Sequence, residues 1–211
     1  MAEEIKLYPA AKELPNEADV FFVEKIEIKD IPTAVMEKFE VARNIVYGTG
    51  ENLPSFYDPQ LFDHKDGSKS YSVRVERAQS YKSKKDLEQI YVADVIENHF
   101  AGMTEVTYWQ QGGEEGQPRE IPYVSRTGTQ SVVSTAEGEQ DIRKRGLNAR
   151  RYIVADIHSR RAWGKSLRAG YWNDDAHYTW KALKRHGYVV RDRSVPLNPS
   201  YIGAYRFKKK L

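Results

Sequence analysis

A chain of 211 residues, 40% hydrophobic and 30% charged, is long enough to bury a core and polar enough to keep an ordinary wet surface. It has no cysteine, which excludes disulfides, a thiolate nucleophile and cysteine-ligated metal, and no apolar run approaches the ~18 residues of a membrane span. The net charge of +3 is unevenly divided: residues 141–211 hold 18 lysines and arginines against 5 acids, the remainder 15 against 25. That basic third implies either an anionic partner, nucleic acid or a phosphate-rich cofactor, or compensation by the acidic part when the two pack together. The acidic start Met1-Ala2-Glu3-Glu4 lacks the layout of a secretory signal, so the expectation is a cytoplasmic protein without membrane contact.

Residues 1–19 read as a polar lead-in with Pro9 and Pro15, and residues 20–211 as a single domain. Residues 20–28 are rich in β-branched and aromatic side chains and predict a strand. Asp30 and Pro32 mark a helix start, Val35, Phe39, Ala42 and Val46 recur at helical spacing, and Gly48 is a natural stop. Residues 48–69 carry Pro54, Asp58-Pro59 and Asp66-Gly67 and read as a loop. Tyr71, Val73 and Val75 alternate with polar residues, as in a half-buried strand. Ser83 with Asp86 forms a weak capping box, followed by Leu87, Ile90, Tyr91, Val95 and Phe100, which predicts a helix ending near Gly102.

Residues 104–110 and 120–124 flank a glycine-rich acidic stretch and predict a hairpin, and residues 130–134 a further strand. Then come a helix over about 142–163 with Ala149, Ile153 and Ile157 as its core stripe, a short strand at 167–171, and a helix over 174–186 with Ala176, Trp180 and Leu183 inward. Residues 188–190 and 201–207 predict a closing strand pair. Strands and helices intermingle, so the fold class is mixed α/β (α+β), a mostly antiparallel central sheet flanked by helices.

The order within the basic third is the most informative pattern. Arg143-Lys144-Arg145-Gly146-Leu147-Asn148 opens the long helix, Gly164 closes it, a strand follows, Asn173 to Ala176 starts the last helix, and Gly187-Tyr188 ends it. Backbone N–H groups and the dipole at a helix start favour an anion, and Arg143 and Arg145 would add charge-assisted hydrogen bonds. In these residues the chain resembles the GNAT-type N-acetyltransferase superfamily, which carries an R/Q-x-x-G-x-G/A turn between a strand and a helix. The resemblance spans about 20–207 in element order and 143–188 in motif. It implies acetyl-CoA as cosubstrate, an amine as acceptor and direct transfer. Arg143, Arg145, Gly146, Asn148 and Ala149 would hold the pyrophosphate, Val132 and Val133 would pair with the pantetheine arm, and Asn173 and Tyr178 would border the thioester. Two positions depart from the family: Asn148 stands where it has glycine or alanine, and Leu183 where it often has the tyrosine that protonates the departing thiolate. Tyr178 on the same helix is the substitute.

The reaction needs a base for the ammonium. Glu137 and Glu139 lie just before the turn, with Glu137 the candidate catalytic residue, and Glu105 on a central strand is another option. The five histidines show no metal-binding spacing, and His177-x-Thr179 lacks the second copy that a two-histidine phosphoesterase needs. A second reading is a nucleic-acid-binding protein without catalysis, using residues 141–211, with 174–186 as recognition helix and the closing strand pair as a wing. A third is a GNAT-like fold that has lost its chemistry and serves as a structural or inhibitory partner.

Overall fold

The computed structural model describes residues 3–4, 20–109, 121–135, 138–142, 146–170, 174–191 and 205–208. Its centre is an antiparallel meander: β1 (Glu3–Glu4), β2 (Val20–Lys25), β3 (Phe56–His64), β4 (Lys69–Gln79), β5 (Asp86–Ile96), β6 (His99–Trp109) and β7 (Tyr123–Thr129), each beside the next. Between β2 and β3 the chain makes a single 3-10 turn, Ile28–Asp30, and helix α1 (Thr33–Tyr47). After β7 come the small hairpin β8 (Val132–Thr135) and β9 (Gly138–Asp141), then helices α2 (Leu147–Trp163) and α3 (Asp174–Arg185), then β10 (Val189–Arg191) and β11 (Tyr205–Phe207). The fold is therefore mixed α/β, with a mostly antiparallel central sheet flanked by helices.

Beyond β7 the sheet continues through a parallel neighbour. Residues 167–169 pair with β7 by Arg168 N–H to Pro122 O and Val124 N–H to Arg168 O, at 2.9 and 3.3 Å. On their other side, Ala169 N–H donates to Tyr205 O and Phe207 N–H to Leu167 O, which attaches β11 and with it β10. Helix α2 is thus the crossover of a parallel β-α-β unit. Gly170 lets the chain pass against β7, since a Cβ there would lie 1.8 Å from Val124 O.

The two sheet faces are covered separately, because successive strand residues point to opposite sides. Tyr71, Val73 and Val75 of β4 and Tyr91, Ala93 and Val95 of β5 pack on Val35, Phe39 and Ala42 of α1. Phe62, Ile90, Val92, Val106 and Val124 pack on the other face against Tyr152, Ile153 and Ile157 of α2. Trp180 of α3 fills the layer outside α2, its ring 5.2 Å from Tyr152 and 5.8 Å from Phe207. Both expected stripes, Ala149-Ile153-Ile157 and Ala176-Trp180-Leu183, are buried.

Two expectations fail here. Residues 87–100, read as a helix, form β5 and the start of β6. β5 is buried on both faces from Leu87 to Ile96, so its apolar residues run on without alternating and also satisfy a helical spacing. The break between the strands is the two-residue turn Glu97-Asn98, both with left-handed φ (+45° and +68°), as a tight hairpin requires. Residues 48–69, read as a loop, contain β3. Its Asp58-Pro59 pair falls where the β3–β4 register shifts between Tyr57 and Gln60, one of the few places a strand accepts proline. The expected lead-in also contributes β1, which pairs with β2.

Candidate functional site

Helix α2 begins at the edge of a cleft of about 920 Å³. Gly146 caps the helix in left-handed conformation, φ +80°, which glycine adopts without strain. Three elements wall the cleft: the end of β7 and its continuation (Thr127 to Ser131), the first turn of α2 (Gly146 to Ala149), and α3, through Tyr178, Thr179, Ala182 and Arg185. The described lining contains no aspartate or glutamate, and Arg185 is its one basic residue. With the positive end of the α2 dipole at its edge, the cleft suits an anion.

Asn148 has a definite task there. Its Oδ1 accepts hydrogen bonds from Thr129 Oγ1 (2.6 Å), Thr127 Oγ1 (3.3 Å) and Arg151 Nη2. A glycine or alanine at this position would remove these bonds and leave Arg151, which reaches Gly128 O and Thr129 Oγ1, as the side-chain link described between α2 and the end of β7. Four sequence candidates, Gly146, Asn148, Ala149 and Tyr178, therefore share one cleft, with the Tyr178 side chain exposed. Val132 and Val133 are not brought to it: β8 pairs with β9, Val132 is exposed, and Val133 is buried with Ile96, Ala101, Ile142 and Leu147. The strand that borders the cleft is β7, earlier in the chain. Arg143, Arg145, Glu137 and Asn173 lie outside the described residues. Glu139 on β9 is exposed.

On the opposite side of the end of β7 lies a second cavity of about 400 Å³, between α1 and the β6–β7 pair. Thr127, Gly128, Thr129 and Gln130 line both spaces. The second is walled by Val41, Ala42, Ile45, Phe100 and Met103, with Lys38 and Arg126 among its lining and Glu105 contributing a carboxylate. Glu105 is only 4% exposed, and burial pushes its carboxyl up to about 7 against the opposing pull of Arg126. The Arg126 guanidinium is 3.6 Å from Oε1, too long for a hydrogen bond, and Oε1 accepts none among the described residues. Glu105 also sits at a bulge: it pairs with Arg126 while Val106 pairs with Val124, so Ser125 is the extra residue.

The α2 face holds a different set of polar groups. Asp94, fully buried, meets Arg151 Nη1 at 2.9 Å and Arg150 Nη2 at 3.5 Å, and Ser70 Oγ donates to it. Burial alone would raise the Asp94 carboxyl, but Arg150, Arg151, His64 and the Ser70 hydroxyl outweigh it and hold it below the usual range. Arg150 also reaches Asp66 (3.3 Å) and Ser68 Oγ (2.6 Å). Nearby, His158 Nδ1 lies 2.6 Å from Ser72 Oγ and Nε2 lies 3.2 Å from Asp58 Oδ2. This is the residue set of a hydrolytic triad, yet Ser72 and His158 have no exposed surface beneath α2, so no substrate reaches the hydroxyl. Burial lowers the His158 imidazole despite Asp58, so the histidine is neutral and structural. Two of these pairs absorb part of the basic excess of the C-terminal third: Arg150 and Arg151 are paired with Asp66 and Asp94 of the acidic part. The expected wing is the outer edge of the sheet, held through 167–169.

Among the described residues no helix is long and apolar enough to cross a membrane. Comparison with protein-family models, with curated proteins and with solved structures gives no match for this chain.

Proposed function

We propose that the 920 Å³ cleft receives the diphosphate-bearing end of an acyl-coenzyme A, and that the protein is an N-acetyltransferase of the GNAT type. One observation carries this reading: a parallel β-α-β crossover whose helix starts, at a left-handed glycine, on the edge of a cleft with no acid among its described lining residues. With the β8–β9 hairpin inserted after β7, the order of β7, helix α2, the bridging residues 167–169 and helix α3 parallels the strand, helix, strand, helix order the resemblance implies. The volume lies within the ~300–1,000 Å³ range of small-molecule sites.

In the reaction the amine lone pair attacks the thioester carbonyl carbon. The C–S bond breaks, the sulfur takes up a proton and the nitrogen gives one up. Tyr178 is an exposed residue on the cleft wall, and its hydroxyl would donate the proton to sulfur. No covalent enzyme intermediate on cysteine is available, so transfer is direct. Glu105, which lines the cavity across the end of β7, is an acid whose carboxyl burial raises to about 7 and is the alternative base to Glu137, which lies outside the described residues.

Acetyl-CoA should raise the thermal midpoint of the protein, since a ligand that binds only the folded state stabilises it. Arg185→Glu, an exposed change on α3, should reduce that shift at least severalfold while leaving the unliganded midpoint in place. No shift with acetyl-CoA, together with salt-sensitive binding of an oligonucleotide, would instead favour the nucleic-acid reading.

A further inference from the structure

We propose that the cavity between α1 and the β6–β7 pair binds a small primary amine on an apolar stem, its ammonium seated on Glu105 Oε1. Among the described residues Glu105 is the one carboxylate lining the cavity, whose walls combine a cluster of apolar side chains with the polar end of β7. Glu105 lines it, is almost wholly buried, and presents an oxygen that accepts no hydrogen bond among the described residues. A buried acceptor left in that condition is costly, so the site favours a ligand that brings an N–H donor. The walls select the rest of the ligand: Val41, Ala42, Ile45, Phe100 and Met103 offer carbon surface, and Val41 and Ile45 remain 57% and 45% exposed at the mouth.

Charge placement argues against an anion. Lys38 and Arg126 are exposed, whereas Glu105 is the deep group. An anion held by the two cations would stay at the mouth and leave the carboxylate unsatisfied. An ammonium would replace a 3.6 Å ion contact with a charge-assisted hydrogen bond of ordinary length. The groups facing Glu105 are Arg126 from β7, Lys38 from α1 and Tyr91 from β5, with Arg43 of α1 acting on Tyr91. Burial drives Tyr91 far above the neutral range, and its hydroxyl is committed to Gln89 Oε1 at 2.6 Å. The carboxyl of Glu105, at about 7, is the group whose charge changes most between pH 6 and 8.

As the acceptor site of an acyl transfer, this cavity rests on the acyl-donor reading of the cleft across β7; as an amine site it stands on Glu105 and its walls alone. The test is calorimetric titration of the full chain, with no acyl donor present, using 2-phenylethylamine, 2-phenylethanol and 3-phenylpropionate. The amine should bind at least tenfold tighter than the alcohol or the acid, and about tenfold tighter at pH 8 than at pH 6 as the carboxylate ionises. Glu105→Gln should remove both the preference and the pH dependence. Ile45→Lys, at an exposed position, should weaken the amine while the far-ultraviolet spectrum stays unchanged. Equal binding of the alcohol, tighter binding of the acid, an undiminished preference in Glu105→Gln, or no amine binding would each overturn the proposal. A separate titration with acetyl-CoA distinguishes the two readings: amine binding without acetyl-CoA binding upholds this site and removes the donor cleft, and the converse removes this site alone.

Discussion

The two faces of the central sheet bury acids in opposite ways. Under α2, Asp94 is enclosed by two guanidiniums and a serine hydroxyl, and its carboxyl is held low. Under α1, Glu105 is almost as deeply enclosed, has exposed Arg126 at 3.6 Å beside it and a cavity in front, and its carboxyl is pushed to about 7. Both acids sit on adjacent central strands, so burial alone does not set their character. Partners do, and an acid left short of them beside an open space is the better place to look for a ligand.

The largest effect should come from breaking the satisfied side. Asp94→Ala would leave Arg150 and Arg151 buried with reduced compensation, and a loss of about 3–5 kcal/mol in urea denaturation is expected. A loss below 1 kcal/mol would mean that the two guanidiniums find other partners and that the contrast between the faces is weak.

The next effect has the opposite sign. The folded Glu105 carboxyl titrates near 7 and its unfolded counterpart near 4.5. Its contribution to stability is therefore fully present below pH 4.5 and is lost as pH rises through 7. Glu105→Gln should accordingly be the more stable protein at pH 8, by on the order of 3 kcal/mol at most, and should show no advantage at pH 4.5. Equal stability at both pH values would show that Glu105 is better solvated than its burial indicates.

The smallest stability effect belongs to the cleft. Tyr178 is 69% exposed, so Tyr178→Phe should change stability by less than about 0.5 kcal/mol. If its hydroxyl donates a proton to sulfur, the same change should lower kcat and leave KM for the acyl donor near its original value. An unchanged kcat would remove Tyr178 from the reaction.

The helices were legible because glycines and apolar stripes mark them: α1 stops at Gly48, α2 lies between Gly146 and Gly164, and α3 buries Ala176, Trp180 and Leu183. The β5–β6 hairpin was not, because a strand covered on both faces loses its alternation and the turn Glu97-Asn98 carries no glycine. Of the candidate site, the positions at the start of α2 were readable from the turn itself. The contribution of β7 was not, because nothing local says that residues 167–169 return parallel to it. Glu105 was visible only as an acid on a strand; its isolation depends on α1, more than fifty residues earlier. Arg150 and Arg151 entered only the charge balance of the basic third, and it is the sheet packed on α2 that reveals their acidic partners.

Twelve of the seventeen residues of α2 are buried, among them both of those arginines. A helix enclosed on nearly every side has no independent existence. Its counter-ions Asp66 and Asp94 arrive on strands formed from the acidic portion of the polypeptide, so neither portion can be detached without stranding charge in the other. The lopsided distribution of lysine, arginine and acid along the chain is, at this seam, a mutual dependence: each half supplies what the other cannot bury alone.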